Sequence, residues 1–146
     1  MTARELLEQV RYLDAEVAQL RELRASVYDD LTRSTARLTR DGVRGGGDPH
    51  RMDAAAGLAG DVDAKLRELA EVKRAALAVV NSLDDGRQRA VLLAYYVNCR
   101  AQNGSRKTWE MVAVDLHLSW RSLQRTRAAA LVAVEKLAPV WRLNGT

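Results

Sequence analysis

The stretch with the most chemical content runs from residue 107 to 137. Thr108 suits an N-cap for a helix of about nine residues that carries Trp109, Val112, Ala113 and Leu116 on its inner side. His117 falls where the chain must turn, and Leu118 supplies an apolar residue to that turn. Ser119 caps a longer helix in which Leu123, Thr126, Ala130, Val134 and Leu137 recur at three and four residues. This is the pattern of a helix-turn-helix, with Ala113 as the small residue that lets the second helix approach the first. Near the start of the second helix, Trp120, Arg121, Ser122, Gln124 and Arg125 are left over by the core and form a polar, basic outward face. The N-terminal turns of a recognition helix reach base edges. There Arg pairs with guanine and Gln with adenine, each good pair contributing about 1 to 3 kcal/mol of discrimination. The base-reading candidates are therefore Trp120, Arg121, Gln124 and Arg125. Arg106, Lys107, Thr108, Ser119, Ser122 and Arg127 are the candidates for phosphates and flanking contacts.

The charge supports a polyanionic partner. Residues 100–146 hold eight basic side chains against three acidic ones, a net of +5, so the remainder of a +4 chain carries −1. No acid occurs between Asp115 and Glu135. A segregated positive excess is the asymmetry expected when one segment meets DNA and another does something else.

The elements that position this segment can be read from spacing. Leu6, Val10, Leu13, Val17, Leu20, Arg24, Val27 and Leu31 alternate by four and three residues, the seam of a coiled coil. A Gly-rich stretch, 41–49, follows as a loop tip. The spacing then resumes through Met52, Ala55, Ala59, Val62, Leu66, Leu69, Lys73, Ala76, Val80 and Leu83. Helices over about 3–38 and 49–82 are predicted to fold back on each other, with residues 1–83 as an N-terminal antiparallel coiled-coil hairpin and 84–146 as a three-helix head. The fold class is thus all-α. Leu7, Leu23, Tyr28, Val72, Leu77 and Val79 widen the apolar stripe beyond one neighbour, so they either join protomers into a homodimer or higher oligomer or pack on the head. In the head, Arg87 to Asn98 reads as a helix and Cys99 to Lys107 as a polar loop.

The run from Lys107 to Arg125, including Ser119-Trp120-Arg121, resembles region 4 of sigma-70-type factors, and the likeness extends ungapped from Thr108 through Leu131. The whole chain resembles phage and prophage regulators of the RinA and ArpU type, which place such a head after a coiled-coil hairpin with a Gly-rich tip. That resemblance implies a transcriptional regulator, often an activator of late phage genes, working on promoter DNA with host RNA polymerase. It further implies a place in the bacterial cytoplasm, at the nucleoid. This chain departs from the family in a longer loop from Asn98 to Lys107 and in His117, which stands where Gly is common.

Other functions are disfavoured. The single Cys99 with His50 and His117 makes no closed zinc site, and the glycines of the tip lack the spacing of a dinucleotide or phosphate loop. No catalytic residues, metal or cofactor are expected, and no apolar run approaches the roughly 20 residues that cross a bilayer. Two alternatives stay open: a small-terminase-like packaging protein, and a polymerase-binding module that reads no bases. Cys99, Trp109 and Trp141 are expected to pack, and His50 to lie in the loop.

Overall fold

Thr2 and Glu5 begin the first helix by reciprocal capping. Thr2 Oγ1 accepts from the Glu5 amide at 3.1 Å, and the Glu5 carboxylate accepts from the Thr2 amide at 2.9 Å. Helix α1 (Ala3–Arg40) follows, then α2 (Pro49–Asn81), whose proline occupies the first turn, where its missing N–H is no loss. The computed structural model describes residues 1–40 and 49–139, with side chains at 1–33 and 53–139. The Gly-rich tip and Trp141 lie outside the described residues, and His50, read as loop, is the second residue of α2. Among the described residues every regular element is helical, and no helix is long and apolar enough to cross a membrane.

The helix expected over Arg87 to Asn98 is interrupted. Asp85 starts α3 (Gly86–Leu92) by accepting from the amides of Arg87 and Gln88 at 2.8 and 3.2 Å. The helix then widens into a π-helical turn over Leu93–Val97, closed by the Asn98 amide on the Leu93 carbonyl at 2.7 Å. The polar loop that follows is a tight hairpin. Arg100 and Arg106 face each other across an antiparallel bridge, and Gly104 occupies φ +85°, a conformation open to glycine at no steric cost. Helices α4 (Trp109–Asp115) and α5 (Trp120–Glu135) complete the chain, capped by Thr108 and Ser119 as their residue types predict.

Contacts divide the molecule into two units, Met1–Asp14 with the chain from Leu69 onward, and Ala15–Glu68. This division differs from a boundary at residue 83. The first turns of α1 and the last turns of α2 bury Leu6, Leu7, Val10, Leu13, Val72, Ala76, Val79 and Val80, with Leu83 just beyond α2, so both helix ends belong to the same packed unit as α3, α4 and α5. Within that unit Val91, Val112, Ala113 and Leu123 form a core, with Ala94, Trp109, Leu116 and Leu118 packed around it. The small Ala113 is part of this core and the turn residue Leu118 packs against it.

The unit Ala15–Glu68 is thinner. Val17 and Val62 are buried there, and Lys65 reaches Glu16 at 3.3 Å and Glu68 at 3.4 Å. Leu20, Val27 and Leu66 are only half-buried, while Leu23, Arg24 and Tyr28 are exposed. Of the six residues flanking the seams, Leu7, Val72 and Val79 thus pack inside the first unit, whereas Leu23, Tyr28 and Leu77 remain at the surface.

Candidate nucleic-acid interface

The turn between α4 and α5 closes on backbone bonds alone. The Leu118 amide donates to Ala113 at 2.8 Å and the His117 amide to Val114 at 3.1 Å, which together make a Schellman motif. That motif needs a left-handed residue, and His117 adopts it with φ +55°. The Ser119 hydroxyl then accepts from the amide of the half-buried Ser122 at 3.1 Å, which starts α5. Thr108 is similarly engaged, its Oγ1 accepting from the Met111 amide at 3.3 Å.

On α5 the first two turns present Trp120, Arg121, Gln124 and Arg125 to solvent, with Trp120 44% exposed. Arg121 and Arg125 stand one turn apart and Gln124 beside them, so all three project from one side of the helix. Arg106, on the second arm of the hairpin, is also exposed. Among the described residues these three arginines pair with no acid.

The other basic candidates are spent inside the molecule. Lys107, expected on phosphate, is buried to 7% exposure, and its ammonium lies 3.7 Å from Asp115. That burial and the acidic partner disfavour a phosphate contact by Lys107. Arg127, also expected on phosphate, is half-buried with its guanidinium 4.5 Å from the Trp109 ring centroid. Arg100, part of the positive excess, pairs with Asp14 at 2.6 Å, a close ion contact rather than a well-angled hydrogen bond. It also donates to the carbonyls of Gly104 and Asp14 at 2.9 and 3.2 Å.

Residues of α1 that the periodicity passed over hold this surface in place. Arg11, 8% exposed, donates to the Tyr95 carbonyl at 2.6 Å and the Lys107 carbonyl at 3.1 Å, and its guanidinium carbon lies over the Tyr95 ring, 3.7 Å from the centroid. Burial lowers its pKa, with Tyr95 acting in the opposite direction. Arg4 reaches Glu135 of α5 at 2.6 Å, a bond that raises the Arg4 pKa and occupies the carboxylate at the C-terminal end of α5. Arg4, Arg11 and Asp14 are spaced by seven and three residues and so share one side of α1. That spacing was a readable signal: polar residues repeating alongside an apolar seam. Cys99 is buried as a small apolar residue would be, and burial, followed by Asp14, pushes its thiol pKa up.

No family model, no curated protein and no solved structure matches the chain.

Proposed function

We propose that the chain is a sequence-specific DNA-binding transcriptional regulator in which α4 and α5 are the two helices of a helix-turn-helix. Helix α5 enters the major groove, with Trp120, Arg121, Gln124 and Arg125 toward the bases and Arg106 toward a flanking phosphate. One observation carries this reading. Arg121 and Arg125 are exposed and unpaired among the described residues, at the start of a capped helix, while Arg100 and Lys107 pair with acids and Arg127 covers the Trp109 ring. A surface that keeps arginines free at that place is suited to bidentate contact with guanine.

A head of this size buries about 600 to 1,000 Å² on DNA, which favours a second protomer or a tethering partner. The exposed Leu23 and Tyr28 of the unit Ala15–Glu68 suit self-association, and the resemblance to prophage late-gene regulators points to host RNA polymerase as a further partner. The test is a fluorescence-anisotropy titration against promoter-derived duplexes at two salt concentrations. Sequence-selective binding lost in Arg121→Ala and Arg125→Ala supports base readout, and unselective binding with a steep salt dependence overturns it.

A protein-docking module without base readout is the second reading. Val114 is 74% exposed on α4, and Val132 is 51% exposed beside an open groove of about 480 Å³ lined by Leu83, Gln88, Ala129, Ala133 and Leu137. Retained promoter binding in the doubly substituted Arg121→Ala, Arg125→Ala chain favours that reading.

A further inference from the structure

Four planar groups from four elements lie in one stack. Arg11 of α1 covers Tyr95 at 3.7 Å, Tyr95 of the π turn lies parallel to Trp109 of α4 at 3.6 Å and 8°, and Arg127 of α5 covers Trp109 at 4.5 Å. Tyr96 closes the edge, its ring perpendicular to both Tyr95 and Trp109 at 4.9 and 6.0 Å. Two rings with a cation on each outer face satisfy their quadrupoles from both sides. The π turn places two adjacent tyrosines so that one enters the stack and the other borders it.

Arg127 is the member of this stack on the helix read above as entering DNA. At 100° per residue it lies about 120° around α5 from Arg121 and about 160° from Arg125. It is only about 40° from Leu123 and 60° from Ala130, which are both fully buried, so it sits on the core side of the helix. Six residues after Arg121, it has the charge of a phosphate contact and the placement of a packing residue.

We infer that Arg127 is a positioning residue that touches no phosphate. It acts through Trp109 to fix the angle at which α5 leaves α4, and the Arg11–Tyr95 pair backs Trp109 from the other side. The assignment rests on the DNA-reading function proposed above. A helix held at one angle presents Arg121 and Arg125 together; a helix free to rock must be ordered when it binds, which lowers affinity for every sequence and every salt concentration alike.

The experiment compares Arg127→Met, Arg127→Lys and Arg106→Ala with the wild-type chain. The probe is the duplex that the wild type enriches from a random-sequence library, titrated across a range of salt. Both Arg127 variants are expected to lose about two- to fivefold in affinity at each salt while keeping the wild-type slope of log K against log salt. Arg106→Ala is expected to flatten that slope by about 0.9, the signature of one lost phosphate contact. The near-UV circular dichroism band that disappears in Trp109→Phe should weaken in Arg127→Met with far-UV helicity unchanged. Should the methionine variant fail to fold, Arg127→Lys, which keeps the charge, carries the test. A slope flattened by about 0.9 in either Arg127 variant, full affinity in Arg127→Lys, or no effect in Arg127→Met overturns the assignment and leaves the DNA reading standing. A wild-type chain that enriches no duplex overturns both.

Discussion

The same four-three spacing of apolar residues runs through both units, yet it produces a continuous core in one and a seam buried at few positions in the other. In the unit containing Met1–Asp14, the seam residues Leu6, Val10 and Leu13 are fully or almost fully buried, and so is Leu7 beside them. In Ala15–Glu68 the continuation of that seam buries Val17 but then leaves Leu20 and Val27 half-buried and Arg24 exposed. Period alone says which residues share a side of a helix. How deeply that side is buried depends on how many other elements pack there, and only the first unit contains α3, α4 and α5 as further layers.

The polar residues repeat this contrast. Arg11 and Arg24 are both arginines on α1, but Arg11 donates to two carbonyls and covers an aromatic ring, whereas Arg24 is exposed. The first orders a surface; the second limits how apolar the outer seam becomes.

Six substitutions, grouped in four tests, probe the comparison. Leu6→Ala should destabilise the chain by about 2 to 5 kcal/mol in urea unfolding, the range for a buried leucine, while Leu23→Ala, with half its surface in solvent, changes it by less than about 0.5 kcal/mol. Equal effects would erase the difference between the units. Arg11→Met should cost about 2 to 4 kcal/mol, because it strands the Tyr95 and Lys107 carbonyls without their donor. Arg24→Met, with no buried partner, should leave unfolding unchanged and shift sedimentation toward a larger species. His117→Gly sharpens the account of the α4–α5 turn. It removes a side chain from a left-handed position, and thermal unfolding should show a gain of about 0.5 to 1 kcal/mol. A loss there would mean that the imidazole makes a compensating contact. A small effect is also expected for Arg4→Ala, whose bond to Glu135 joins side chains 43% and 52% exposed. Such a pair contributes about 0 to 1 kcal/mol and less in high salt, so differential scanning calorimetry at two ionic strengths should show little change.

Much of the local structure of α4, its turn and α5 was legible in the order of residues. Thr108 and Ser119 cap their helices as their hydroxyls suggest, Ala113 and Leu118 occupy the close approach, and His117 takes the turn. What spacing did not convey was the state of the basic residues. Lys107 and Arg106 are adjacent in the chain and chemically alike, yet one is buried against Asp115 and the other is exposed. The π turn was equally hidden, because a single added residue in a helical turn leaves the surrounding apolar period almost intact.

The sequence by itself determined the helices, their caps, the turn and the sides on which apolar residues gather, since each depends on residues within one or two turns. Tertiary structure decided which charges remain free, because that depends on partners far away in the chain. Arg11 meets the Tyr95 and Lys107 carbonyls 84 and 96 residues later, and Arg100 meets Asp14 across 86. A cation that is desolvated must find such partners or impose a large energetic penalty, and local periodicity contains no information about where they come from.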